Sequence, residues 1–189
     1  MDFDNVIKKR ASVRKFSSKK PKPEHITELI ETANLAPSPG NLYLLMYIVV
    51  ENPETISKIA DACQQEFIKQ APYVIVICSN PKQIKTMYDT RADKYIKHHT
   101  GAAVENILLK AVDMGMGSCW VGAFSEPTLR NLLKIQDGIN LEVVLPIGYE
   151  LIKGKTKQRH KFSLVNRLFF ETWKNRFYKP IKKIRRGDV

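Results

Sequence analysis

The chain has 189 residues, 43% hydrophobic and 26% charged, a composition ordinary for a globular protein and long enough for one substantial core. No apolar run approaches the ~20 residues of a membrane-spanning helix, the start MDFDNVIKKR has no apolar leader core, and Cys63, Cys78 and Cys119 form neither a CxxC pair nor a zinc-ligand spacing. The net charge is +12, but from residue 151 onward there are 13 Lys or Arg against Glu171 and Asp188, which leaves 18 bases against 17 acids before it. A body that is nearly neutral does not read as a nucleic-acid binder; the basic end reads as a separate surface for an anionic partner, or as a solvated terminus. A reduced, cytoplasmic protein without metal is the expectation.

In chain order, FDNVIKKR reads as a short helix leading into RASVRKF (10 to 16). In an extended segment Arg10, Ser12 and Arg14 point to one side and make a small anion clamp, because guanidinium donors suit phosphate oxygens. Taken alone, so short a motif more often describes a solvated basic loop. Residues 22 to 37 read as a helix with Pro23 in its first turn and Ile26, Leu29, Ile30 and Ala33 on one stripe. APSPGN (36 to 41) stops it. LYLLMYIVV (42 to 50) reads as a buried strand, PETISKIADACQQ as a helix and PYVIVICS (72 to 79) as a second buried strand.

Residues 80 to 99 are polar and carry little pattern. TGAAVENILLKAVDMGMG (100 to 117) is the strongest helix signal, ended by glycines. SCWVGAF and LEVVLPIGY read as strands flanking a helix over 125 to 133. Helices alternating with buried strands give an α/β or α+β protein with one core. SLVNRLFFETWKNRFY (163 to 178) reads as a basic amphipathic helix, with Val165, Leu168, Phe169 and Trp173 on one face and Phe177 a turn on. The expected division is a body over 1–162 and a basic aromatic extension over 163–189. That extension would pack on a partner subunit or lie on an anionic membrane surface.

The ordered set RASVRKF, APSPGN, QEFIKQAPYVIVIC, GAAVENILLKAVDMGMG, SCWVGAF and LPIGYE resembles the nitroreductase family of flavin-dependent oxidoreductases, in its short form, over about residues 2 to 160. The resemblance implies an α+β fold with a central mixed sheet flanked by helices, built as an intertwined homodimer. Two FMN molecules would lie at the dimer interface, with both chains contributing to each site. Arg10, Ala11, Ser12 and Arg14 match the segment that holds the FMN phosphate and ribityl chain, and Lys157 or Arg159, of which Arg159 is preferred, would complete the phosphate site. Pro37, Ser38 and Asn41 match the partner-chain loop that approaches the ring. Gln65 matches a position at the ring's polar edge. Trp120, Val121 and Gly122 would run beside the isoalloxazine, with Gly117 and Gly122 permitting close backbone approach. On spacing alone Trp120 also reads as a core residue.

Two departures from the family pattern stand out. The loop asparagine is commonly followed by L-Q-P-W, and this chain has Leu42, Tyr43, Leu44 and Leu45; the long helix is often preceded by an aspartate where this chain has His99. The chemistry implied is ping-pong: NADH or NADPH delivers hydride to the flavin, then a nitroaromatic, quinone or similar small acceptor takes the electrons. No catalytic side chain is required, because the cofactor carries the reaction. Specialised flavin chemistry of the same family, reductive dehalogenation or flavin breakdown, is the second expectation, and anionic-surface or nucleic-acid binding through the tail the third.

Overall fold

The computed structural model describes residues 1–151 and 167–176. The chain divides into two units, Met1–Thr156 and Lys157–Val189. The first unit is α+β. Its helices are α1 (Phe3–Lys9), α2 (Pro23–Ala33), α3 (Pro53–Cys63), α4 (Lys82–Tyr88), α5 (Ala92–Asp113) and α6 (Glu126–Leu133). Its strands are β1 (Leu45–Val50), β2 (Tyr73–Ser79), β3 (Gly117–Ser118) and β4 (Asn140–Gly148). Local chemistry sets many of these bounds. Asn52 caps α3 by accepting from the Thr55 N–H at 2.9 Å, and Gln64 ends the helix in the left-handed region. Gly115, at φ 74°, closes α5, with the Met116 N–H returning to the Ala111 carbonyl at 2.7 Å.

The sheet order is β1-β2-β4-β3. Every strand pair in it is antiparallel, and the parallel character of a mixed sheet is confined, among the described residues, to one bridge between Ser12 and Ser118. β2 is buried along its whole length, so its alternating residues serve two cores. Tyr73, Ile75 and Ile77 meet α2 and α5 on one face; Val74, Val76 and Cys78 meet α3 and α6 on the other. A bulge between Ile77 and Cys78 keeps β4 in step with both. Each fully buried Ile or Leu in these layers contributes roughly 1.5–3 kcal/mol.

Three regions differ from the sequence expectation. The stretch 42–50, expected as a buried strand, pairs only from Leu45 and leaves Met46 and Val49 exposed, because β1 is an edge strand that pairs with β2 alone among the described residues. Residues 80–99, which carry little pattern, fold as α4, a 3₁₀ turn at Asp89–Arg91 and the first two turns of α5. Ile84, Ala92 and Ile96 supply the missing apolar face by closing on Leu44. The stretch 118–124 is not a continuous strand: pairing stops after Ser118 and resumes only at the Val121–Val144 bridge. The register sets Cys119 opposite Pro146, at the position where β4 would next donate an N–H. Proline has none, so the ladder is interrupted there.

Of the second unit, residues 167–176 are described, and they form turns rather than the expected helix. Glu171 and Lys174 have positive φ, and Phe170 and Asn175 bond each other in both directions at 3.0 Å, closing a loop where a helix ladder would run. Phe169 and Trp173 still meet, with ring centroids 4.7 Å apart. A single amphipathic segment of this length has little intrinsic helical stability without packing. Lys157, Arg159, Val165 and Phe177 lie outside the described residues. Among the described residues no helix is long and apolar enough to cross a membrane.

Candidate cofactor site

The segment after α1 lies along the end of the sheet. Val13 donates its N–H to the Ser118 carbonyl at 2.9 Å, Ser17 donates to Tyr149 at 2.8 Å, and Leu151 donates to Lys15 at 3.0 Å. Two glycines that pair across β3 and β4, Gly117 and Gly148, make this docking possible. A Cβ on Gly117 would sit 2.6 Å from Val13 Cγ2, and one on Gly148 would sit 2.6 Å from Pro72 Cδ and 3.1 Å from Phe16. Gly117 therefore makes room for Val13 rather than for a ligand. With Val13 and Phe16 turned inward and buried, Ser12 and Arg14 are left on the outer side.

Arg14 lines a cleft of about 160 Å³ together with Gln65, Phe67, Cys119, Trp120, Val121, Gly122 and Ala123. Four elements meet there. Arg14 comes from the docked segment. Gln65 comes from the left-handed exit of α3, where its N–H bonds the Ala60 carbonyl at 3.0 Å. Phe67 comes from the 3₁₀ turn Glu66–Gln70, and Trp120 from the interrupted strand. Trp120 is 42% exposed, so it is a wall of the cleft and not a core residue, whereas Val121 is buried behind it.

The electrostatics of the two arginines differ. The Nε of Arg10 lies 3.7 Å from a carboxylate oxygen of Glu105 on α5. Arg14 has no carboxylate partner among the described residues; its guanidinium stands over the Phe67 ring, 5.8 Å from the centroid. Burial pushes the Cys119 thiol up, with the Arg14 charge and the Ser12 hydroxyl opposing it. The thiol is therefore held as a neutral group at neutral pH, and it does not compete for the Arg14 charge.

Of the sequence candidates, the cleft brings together Arg14, Gln65, Trp120, Val121 and Gly122, with Ser12 beside Cys119. Arg10 and Ala11 do not line it. Nor do Pro37, Ser38 and Asn41: their 3₁₀ turn lies elsewhere in the same chain, where a Cβ on Gly40 would meet Met87 Sδ at 2.9 Å and the Tyr88 hydroxyl at 3.1 Å. Phe67, Cys119 and Ala123 are lining residues that sequence reasoning missed. Phe67 lies two positions after Gln65, and Cys119 and Ala123 flank the Trp-Val-Gly run, so adjacency was the available signal.

The donor set suits a flavin nucleotide. It offers a guanidinium with free edges for a phosphate, a neutral amide for a polar ring edge and an indole for an aromatic face. The cleft is smaller than the roughly 300–1,000 Å³ of complete ligand pockets.

Comparison with known proteins identifies the family of the chain. The nitroreductase family model matches residues 7–69 and 62–149. An Archaeoglobus fulgidus protein named as a candidate NADH dehydrogenase/NAD(P)H nitroreductase is 34% identical over 149 residues, 76% of this chain and 83% of that protein. The iodotyrosine deiodinase of Thermotoga neapolitana is 25% identical over 174 residues, 77% of this chain and 87% of its own. The crystal structure of a nitroreductase family protein from Clostridium novyi NT superposes with a TM-score of 0.73 at 30% identity, covering 94% of this chain and 97% of that one. A fold with helices on both faces of this sheet, and a family model spanning most of the body, together place the chain in the nitroreductase family.

Proposed function

We propose that this chain is an FMN-dependent oxidoreductase that takes electrons from NADH or NADPH and passes them to a small acceptor, such as a nitroaromatic or a quinone. The observation that carries this reading is Arg14, an arginine without a carboxylate partner among the described residues, opening on a cleft walled by Trp120, Val121 and Gln65. Arg14 and Ser12 would hold the phosphate. Arg10 would join them by exchanging Glu105 for the ligand, and Lys157 or Arg159 would complete the charge. Trp120 and Val121 would cover part of the ring, and Gln65 would bond its polar edge. Bound FMN would supply the hydride and electron chemistry, which this set of side chains cannot supply. Pro37, Ser38 and Asn41 would reach the site from a second copy, as the small volume of the single-chain cleft supports.

The test is flavin uptake by the purified protein, read by Trp120 fluorescence and by retained flavin colour. Arg14→Ala should raise the FMN Kd at least about tenfold, because a charge-assisted phosphate contact is lost. Riboflavin, which has no phosphate, should bind both proteins alike; equal weakening for both flavins would refute the phosphate role. A folded protein that retains no FMN would end the whole reading.

A second reading, reductive dehalogenation, is favoured by the similarity to the T. neapolitana deiodinase and by Tyr43, which is 74% exposed where the family pattern is replaced. Reoxidation of the reduced protein by nitro, quinone and halophenol acceptors separates the two.

A further inference from the structure

Charge before residue 151 is balanced only on average. Residues 8–22 hold eight Lys or Arg and no acid, while the rest of 1–150 holds ten bases against 17 acids. All eight side chains are exposed except that of Arg10, which is half-buried. Lys8 and Lys9 close α1, and the backbone that follows docks along the end of the sheet. Lys19 Nζ then stands 4.6 Å from the Tyr149 ring centroid, and Lys20 Nζ 4.9 Å from that of Tyr73. Three acidic residues adjoin this ribbon: Glu105 at Arg10, Glu51 at Lys20, and Glu150 in the bridge to Phe16. Lys8, Lys9, Lys15 and Lys22 make no ion pair among the described residues. The ribbon enters the cleft at Arg14, the one charged residue that lines it among the described residues.

We propose that this ribbon selects between electron donors by charge and gives the chain a preference for NADPH over NADH. This rests on the oxidoreductase reading above. The two donors differ by one phosphate, which carries about −1.5 to −2 charges at neutral pH. A surface strip of one sign beside a cleft raises the local concentration of the opposite charge, and its pull grows with the charge of the ligand. The acidic remainder of the body repels the same ligand, so the field directs it to the mouth of the cleft. Hydrated lysines on flexible stems exert this pull without a fixed contact. The pull has a range. The screening length is roughly 30 Å at 0.01 M salt, where the ribbon acts as one strip, and about 3 Å at 1 M, where it does not. A pocket bonded directly to the extra phosphate would keep much of its selectivity in salt, whereas a ribbon loses it.

The experiment compares the full chain, loaded with FMN, with two charge variants. One carries Lys8→Gln, Lys9→Gln, Lys15→Gln and Lys22→Gln. The other removes the same charge elsewhere, by Lys82→Gln, Lys85→Gln, Lys94→Gln and Lys134→Gln; all eight positions are exposed. Reduction of the bound flavin gives kcat and KM for NADPH and NADH, and equilibrium dialysis gives the Kd of NADP+ and NAD+. At about 0.01 M salt the wild type should favour the phosphorylated dinucleotide about three- to tenfold, and at about 0.5 M that ratio should fall at least about threefold. The ribbon variant should lose most of the preference through KM and Kd, with kcat at saturating donor unchanged, and the second variant should keep it. A preference that ignores salt, a preference for NADH at low salt, or equal losses in the two variants would overturn the role of the ribbon. A folded wild type that retains no FMN defeats the oxidoreductase reading and this one together; a flavin-loaded wild type whose donor ratio ignores salt defeats this one alone.

Discussion

Arg10 and Arg14 are four residues apart and chemically identical, yet they meet different neighbours. The spacing of RASVRKF described a three-member clamp, and the bridges of Ser12 to Ser118 and of Phe16 to Glu150 agree with the extended segment it needs. What spacing did not carry is the partner of each charge, because Glu105 and Phe67 are distant in sequence and adjacent only after folding. His99 is a second residue whose character comes from its surroundings. It is buried, its Nδ1 has no hydrogen-bond partner among the described residues, and burial holds its imidazole below the ordinary 6.5. Above that value both folded and unfolded chains carry it neutral, so it contributes no pH dependence. As pH falls below 6.5 the unfolded chain takes up the proton first, and stability is lost at up to about 1.4 kcal/mol per pH unit. His99→Leu should therefore melt at about the wild-type temperature at neutral pH and lose less on acidification. Melting curves recorded on both sides of the histidine range check this, and parallel acid losses in the two proteins would refute it.

At the scale of elements, agreement followed the strength of the hydrophobic pattern. β2 was legible as a continuous β-branched run, and the C-terminal turns of α5 by the strict period of their apolar stripe. The stretch from 80 to 99 was not, because Ile84, Ala92 and Ile96 are too sparse to show a stripe until Leu44 closes on them. The wall strand is the most instructive case. SCWVGAF has strand composition, but its pairing is decided by Pro146 on β4, which offers no donor opposite Cys119. Pro146→Val restores that donor. The expected result is a slowly exchanging amide at residue 146, a gain of about 1 kcal/mol in stability from the added ladder bond, and a less exposed Trp120 with weaker FMN binding. Hydrogen exchange and Trp fluorescence read the two effects; a rapidly exchanging amide at 146 would mean that something else keeps the wall apart.

At the scale of the whole molecule, the single chain separates the two groups of candidate ring-binding residues. Arg14, Gln65 and Trp120 share one cleft, while the Pro39–Asn41 turn packs on Met87 and Tyr88. Leu35, Tyr43, Met46 and Val49 stand exposed near that turn and on β1, apolar surface of the kind a second copy covers. A site shared between copies makes a sharp prediction. Arg14→Ala and Asn41→Ala proteins, each defective alone, should recover about a quarter of intact sites when refolded together, since a mixed dimer carries one doubly altered site and one unaltered site. FMN titration of the mixture measures this; no recovery would place both residues in a single-chain site. The sequence by itself determined the α+β class, the buried strand β2, most helix bounds and the residue types of an anion clamp, because these depend on local apolar pattern, capping and side-chain chemistry. Only the tertiary structure decided which arginine stands over an aromatic ring and which beside a carboxylate, that Gly117 houses Val13, and that Trp120 is a wall of the cleft. Those outcomes depend on contacts between residues far apart in the chain, and no local pattern encodes which distant group will fill a given space.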